Sequence, residues 1–322
     1  MPPAHYLVLA AIILCLRHFA PPLAGSNDPM TLTAPDFPPA RSALTPHACL
    51  ACGRREERFL YTRNGCDIFQ CAHCGVGRSE PVGFDPASYY TEDYFSGEYA
   101  DGYADYVGAE KVLRAEFAHA ASFLRRFVPH GRLLELGCAY GFFLQEARRY
   151  FDVTGIELAE EVAAHARQSG LNVLSGPADA DNLRRVGEVD AIVLLDVIEH
   201  LPDPCGTLAA AVERLNPGGA VMITTGDFGS LVARMLGANW RLMTPPQHLW
   251  FFTRAGMAAL AGRLGLTLEH FDHPWKTVPV SLIAFQLRRM LGMNPGRSRM
   301  ASSVGVPVNL FDAMRVILRK PV

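Results

Sequence analysis

Two cysteine pairs, Cys49/Cys52 and Cys71/Cys74, stand eighteen residues apart in a chain of 322. Each C-x-x-C puts two thiolates on one tight turn, and two such turns supply the four soft ligands of a tetrahedral zinc ion. Gly53 and Gly75 follow the pairs directly, where a residue without Cβ lets the turn close around the thiolates. A closed four-thiolate shell has no open position for water, so this zinc is expected to support folding or docking and not catalysis. Cys66, His47 and His73 are spare donors close by. Five of the eight cysteines fall between positions 49 and 74, a clustering that favours metal over disulfides.

A second constellation is ELGCAYGFF, residues 135–143. Gly137, Ala139 and Gly141 are small enough for the backbone to turn tightly against a ligand. A dinucleotide fingerprint would need glycine where Phe142 stands, which disfavours a nicotinamide-dependent oxidoreductase. Glu157 lies twenty residues beyond Gly137, at the end of the next strand-like run, where a carboxylate can accept from both hydroxyls of a ribose. An adenosine-containing ligand is therefore expected. In LLDVIEHLPDP, Asp196 falls at a strand tip, with Glu199 and His200 just after it. Residues 225–253 are dense in Trp, Phe and His around a Pro-Pro step, a natural substrate wall, and His248 within them is a candidate general base. Residues 89–106 form a run dense in Tyr, Asp and Glu.

Alternating strand-like and helix-like segments position these groups. RLLELG, DVTGIEL, NVLSG, VDAIVLLD and GGAVMITTG are strand-like, and FFLQEARRY, AEEVAAHARQSG and PCGTLAAAVERLN are helix-like. Strands joined by crossover helices imply an α/β fold with a doubly wound parallel sheet. A helix is expected over 109–128, a helix and strand over 256–272, an inserted helical segment at about 276–296, and a final strand in DAMRVILRK. The expected domains are a leader and disordered linker (1–46), a zinc-binding module (47–80), a helical cap or linker (81–128) and the α/β domain (129–322). The apolar run at 6–16 lacks the positive start of a secretory signal, and Met30 is a plausible initiator. Reduced cysteines point to the cytoplasm. Thirty basic against thirty-two acidic residues give no general attraction to nucleic acid. Around LIAFQLRRMLGM a core-covering helix is expected before any membrane contact.

The series ELGCAYG, GIEL, VDAIVLLDVIEHLPDP and LNPGGAVMITT resembles, in order and spacing, the motifs of class I S-adenosylmethionine methyltransferases over residues 129–273. The resemblance implies a Rossmann-like fold with a small zinc ribbon in front. It implies that Glu135, Gly137, Cys138 and Gly141 line the methionine end of S-adenosylmethionine, that Glu157 and Leu158 hold its ribose, that Asp179, with Asp181 as the alternative, accepts from the adenine amino group, and that Asp196 faces cofactor and substrate. D-x-x-E-H also resembles the E-x-x-E-H metal site of some small-RNA and quinol O-methyltransferases. The front module, the tyrosine run and the aromatic insertion resemble sugar C-methyltransferases, which implies that Tyr89, Tyr90 and Tyr94 close over the active site, where tyrosine could orient a hydroxyl or move a proton, although Gln247 stands where those have glutamate before the histidine. The expected acceptor is a small molecule, a sugar or carrier-linked saccharide, with a phenol or quinol as the alternative; the proton acceptors are His248, then His200, then a tyrosine such as Tyr94. A catalytically silent zinc-containing adaptor is the reading from another class, and the complete ELGCAYG loop and Glu157 weigh against it.

Overall fold

The computed structural model describes residues 48–81, 83–85, 89, 105–284 and 303–322. The leader and linker, Tyr90, Tyr94 and the far part of the 276–296 segment lie outside them. All the described residues belong to one compact unit, Phe37–Val322. None of their helices is long and apolar enough to cross a membrane.

The central sheet has seven strands: β4 (Gly131–Leu136), β5 (Phe151–Glu157), β6 (Asn172–Ser175), β7 (Val189–Leu195), β8 (Leu215–Gly226), β10 (Thr267–Asp272) and β13 (Ala313–Arg319), ordered β10-β13-β8-β7-β4-β5-β6. The five strands β4 to β8 run parallel, and β13 and β10 pair antiparallel at one edge. The apolar run Ala191-Ile192-Val193-Leu194 suits a strand covered on both faces, and all four residues are buried. One face packs against α1 (Glu110–Leu124), α2 (Phe142–Ala147) and α3 (Glu160–Gln168) through Leu124, Phe143 and Ala166. The other packs against α4 (Ala180–Val186), α5 (Pro204–Glu213) and, beyond the short α6 (Leu231–Leu236), α7 (Arg254–Arg263) through Leu183, Leu208 and Leu260. The chain winds outward through β4, β5 and β6, then returns to the far side of β4 to lay down β7. Strand order thus reverses between β4 and β7, the switch point where such sheets bind ligands beyond the strands' carboxyl ends.

Three expectations change. Helix α1, assigned by sequence to a linker, packs on α2 and belongs to the α/β core. Lys276–Pro279 is a strand, β11, paired with β12 (Gly305–Val308), and helix begins only after it, so the proposed helical insertion starts four residues late. The front module is not separate either. Its strands β1 (Glu57–Arg63), β2 (Cys66–Cys71) and β3 (Gly77–Glu80) continue into β9 (Trp250–Phe251), which comes from the aromatic insertion.

Candidate active site

At the end of β4 the chain turns through Gly137, Ala139 and Gly141, all left-handed, with φ of 70°, 45° and 76°. A Cβ on Gly137 would meet Val197 Cγ2 at 2.7 Å. Glu157, at the tip of β5, is buried, and its two oxygens accept from the amides of Ala139 (2.8 Å) and Ala159 (3.0 Å). Burial raises its pKa, while those amides and that of Leu158 oppose the rise. Glu135 is buried beside it, and Oε2 has no hydrogen-bond partner. Burial, then the neighbouring Glu157, pushes Glu135 well above the usual carboxylate range. The Cys138 thiol is raised by burial and by the same two carboxylates. An orphaned carboxylate oxygen and a loop too tight for side chains fit a bound polar ligand at this place. Asp179 instead caps α4, Oδ1 accepting from the amides of Asp181 and Asn182 at 3.0 Å each. Half of its accepting capacity is thereby used.

Asp196 tips β7 with φ 56°. Oδ1 accepts from Thr224 Oγ1 at 3.0 Å and Oδ2 from Lys276 Nζ at 2.5 Å. Burial would raise its pKa, but Lys276 and Thr224 together hold it below the usual value. From α1, Glu116 Oε2 accepts the Thr277 amide at 2.6 Å. Burial pushes Glu116 up to about 7, against the opposing charge of Lys276. The sequence reading missed Lys276 and Glu116. It also missed Tyr106, a buried ring stacked on Tyr140 (5.7 Å) and Phe142 (5.4 Å), whose phenol is raised by burial and by the nearby Glu135 and Glu157. Tyr89 lies instead against Phe84, 5.2 Å between centroids.

Beyond β7, Glu199 and His200 form a single 3-10 turn, Ile198–His200, and meet His248 from the aromatic insertion. One ligand atom from each of the three lies within 4.8 Å of the others. The imidazoles meet edge to face, with centroids 4.6 Å apart. Nδ1–H of His200 donates to the Gln247 carbonyl (2.9 Å), and Nδ1–H of His248 to that of Leu242 (2.8 Å). In a neutral imidazole that assignment puts the lone pair on Nε2. Burial keeps both neutral, bringing His200 down to about 4 and His248, with His200 beside it, down to about 3. Glu199 is buried, Oε2 has no partner, and burial followed by the charge of Asp196 pushes the carboxyl up to about 8. A small cavity of about 10 Å³ is lined by Glu199, Thr225, Leu242 and His248. Two Nε2 lone pairs and a carboxylate could hold a divalent ion. The sequence pattern grouped Asp196 with Glu199 and His200; the structure pairs Asp196 with Lys276 and brings His248 to the group instead.

The four cysteines converge as well. Cys49 and Cys74 Sγ are 3.5 Å apart, as are Cys52 and Cys71 Sγ, and all four sulfurs lie within 4.8 Å of one another. Gly53 (φ 76°) and Gly75 (φ 75°) close the two turns, donating to the Cys49 and Cys71 carbonyls. Ligands about 2.3 Å from a shared zinc would be roughly 3.8 Å apart, so little movement separates this arrangement from a tetrahedral shell. Cys66 points away toward Asn64 O, and His73 is paired with Glu56.

A family model described as a methyltransferase domain matches residues 108–271. The chain is similar to a ubiquinone biosynthesis O-methyltransferase of Xanthomonas axonopodis pv. citri, 29% identical over 195 residues, which cover 55% of this chain and 80% of the relative. It is similar to another of that name from Methylococcus capsulatus, 30% identical over 190 residues, covering 52% and 77%. Among solved structures, a magnesium protoporphyrin IX methyltransferase from Synechocystis PCC 6803 with bound SAH superposes with a TM-score of 0.43 at 12% identity, covering 65% of this chain and 86% of that one.

Proposed function

The chain belongs to the methyltransferase-domain family and is an S-adenosylmethionine-dependent enzyme, and on that premise we propose that it methylates a hydroxyl oxygen of a small phenolic or quinol acceptor. The observation that carries the acceptor chemistry is the Glu199–His200–His248 group beyond the tip of β7, its carboxyl buried and its two imidazoles half-buried. The relatives' printed name favours oxygen as the methylated atom. A sugar or carrier-linked saccharide becomes the second reading, supported by the cysteine module joined to the aromatic insertion.

When bound, S-adenosylmethionine supplies a methyl group on a sulfonium. Glu135, Gly137, Cys138 and Gly141 would line its methionine end, Glu157 and Leu158 its ribose, and Asp179, through its second oxygen, its adenine. Methylation of a hydroxyl oxygen would also require its proton to leave, and the Glu199–His200–His248 side chains would have to take it. A phenol titrates near 10, so transfer to His248 at about 3 is uphill by roughly 7 units, about 10 kcal/mol. Transfer to Glu199 at about 8 is uphill by roughly 2 units, about 3 kcal/mol. Magnitude therefore favours Glu199 as proton acceptor, with the His200 and His248 imidazoles accepting a hydrogen bond that orients the hydroxyl. A divalent ion on the same three side chains would instead make the acceptor itself more acidic. The four thiolates would hold a structural zinc ion.

The test begins with calorimetric titration of S-adenosylhomocysteine into wild type and Glu157→Ala. Loss of at least tenfold in affinity, about 1.4 kcal/mol, is expected. Catechols and nucleotide sugars are then offered with S-adenosylmethionine, and products are weighed by mass spectrometry. Methylated sugars without methylated catechols would overturn the phenolic reading.

A further inference from the structure

The aromatic insertion that carries His248 is gripped from two sides. On one side is the turn after β7: Leu249 N–H donates to the Glu199 carbonyl (2.9 Å), the Gln247 carbonyl accepts from His200 Nδ1 (2.9 Å), and Trp250 Nε1 donates to Leu201 O (2.9 Å). On the other side is the cysteine module. Ser79 N–H donates to the Leu249 carbonyl (2.9 Å), and Ser79 Oγ donates to the carbonyl of His248 itself (3.0 Å). Gly77 and Arg78 pair with Phe251 and Trp250 across the β3–β9 ladder, and Asn64 Nδ2 donates to Pro245 O (2.8 Å). The insertion thus runs as a bonded strip between the thiolate turns and the Glu199–His200 turn. The second thiolate turn leads directly into β3, with Cys71 N–H donating to the Val76 carbonyl (2.9 Å), and Thr253 Oγ1 ties the Cys74 carbonyl (2.7 Å) to the start of α7.

We propose that the cysteine ribbon is a splint for the His200–His248 pair: β3, held by the metal-loaded thiolate turns, fixes the strip that positions His248 and the carbonyl orienting His200, with Ser79 as a positioning residue. Residues 245–251 contain only a two-residue strand of their own, Trp250–Phe251, and inside the insertion His248 is tied to the Thr244 and Leu242 carbonyls, so the placement of the strip as a whole comes from its two neighbours. Of these, the Glu199–His200 turn is part of the site to be positioned, and the ribbon is the independent support. Without a metal, the four thiols no longer clamp the two turns to one another, and β3 is left with its ladder to β2 and the Ala72–Glu56 and Thr253–Cys74 hydrogen bonds as anchors. The hydrogen bonds of the loop after β4 do not run through the ribbon: Gly137, Cys138 and Glu157 bond within β4, β5 and their loops. Metal load should therefore govern acceptor activation while leaving cofactor binding alone.

This rests on the assignment of zinc to the four thiolates, and the experiment separates the two. Zinc is extracted from the full-length protein with a thiol reagent and a chelator, and amide hydrogen exchange is mapped. Exchange across 245–251 is expected to rise at least about tenfold while the amides of β4 and β5 change by less than about twofold. S-adenosylhomocysteine affinity should stay within about threefold. Nitrogen-15 spectra should show single Nδ1–H tautomers for His200 and His248 with zinc and averaged imidazoles without it. Unchanged exchange at 245–251 overturns the splint, and so does a uniform rise across β4 and β5 with loss of cofactor binding, because the ribbon would then support the whole fold. Protein that takes up no zinc refutes the metal assignment. Ser79→Ala then tests the splint unaided: averaging of the His248 imidazole signal supports it, and an unaltered spectrum overturns it.

Discussion

Glu116→Gln should flatten the pH dependence of stability, and the sign follows from its surroundings. Glu116 on α1 is raised from 4.5 to about 7 chiefly by burial, with Asp196 adding to the rise and Lys276 and the Thr277 amide of β11 opposing it. In the unfolded chain the carboxyl ionises near 4.5, whereas the folded protein keeps it protonated until about pH 7. Below pH 4.5 both states hold the proton and nothing is lost. As pH rises from 4.5 to 7 the unfolded state gains the ionised form first, so stability falls across that window and levels off above it. A shift of 2.5 units corresponds to roughly 3 kcal/mol at most, and less to the extent that water reaches the half-buried side chain. Glutamine keeps an oxygen for the Thr277 amide and removes the titration, while Lys276 retains Asp196. Urea unfolding at pH 5 and pH 8 on both proteins measures the effect. The variant should match wild type within about 1 kcal/mol at pH 5 and exceed it by about 2 kcal/mol at pH 8. Glu135, Glu157 and Glu199 are raised by burial too, but they contribute equally to both proteins and cancel in the difference. A difference that does not vary with pH would refute the reasoning.

Ala139 sits at φ 45°, a conformation that costs an L-residue about 1 kcal/mol. Ala139→Gly should raise thermal stability by about that amount, unless the methyl group's packing beside Tyr106 and Tyr140 is worth more, in which case the midpoint falls. Asp312 is 1% exposed and accepts from Trp240 Nε1 and from both Nε and Nη2 of Arg241, each at 2.9 Å. Asp312→Asn leaves a half-exposed guanidinium short of its partner and should cost about 3 kcal/mol by urea unfolding; a cost under about 1 kcal/mol would show that water replaces the carboxylate.

The parallel sheet was legible because its strands are buried on both faces and read as unbroken apolar runs, as in AIVLL. The tight turn after β4, proposed to hold the cofactor, was legible because such a turn demands small residues at fixed spacing, and Gly137 and Gly141 do take positive φ. Helix α4 was missed because seven residues with Leu183 and Val186 as its buried apolar side chains give too little period, although Asp179 marks its start. Strand β11 was missed for another reason. Lys-Thr-Val-Pro becomes a strand by pairing with Gly305–Val308, far along the chain, and no local pattern records that partner.

The same distinction separates the legible from the illegible parts of the site. Glu135, Glu157, Glu199 and His200 sit on strand ends and the turns after them, which motifs locate. Lys276 reaches Asp196 across 80 positions, and the Gln247 carbonyl meets His200 across 47. His248 was visible as a residue type but not as a member of a group, because its neighbours are set by tertiary contact alone. Desolvation bears on its proposed role as a base. A histidine in an aromatic segment looks like a base when its pKa is taken as near 6.5, but desolvation to about 3 removes most of its thrust and leaves a neutral acceptor. Burial raises Glu199 by the same mechanism, to about 8, making it the better match for a phenolic proton. Under the proposed function, desolvation thus exchanges the roles that residue type alone would assign, at a place where the aromatic insertion meets the turn after β7.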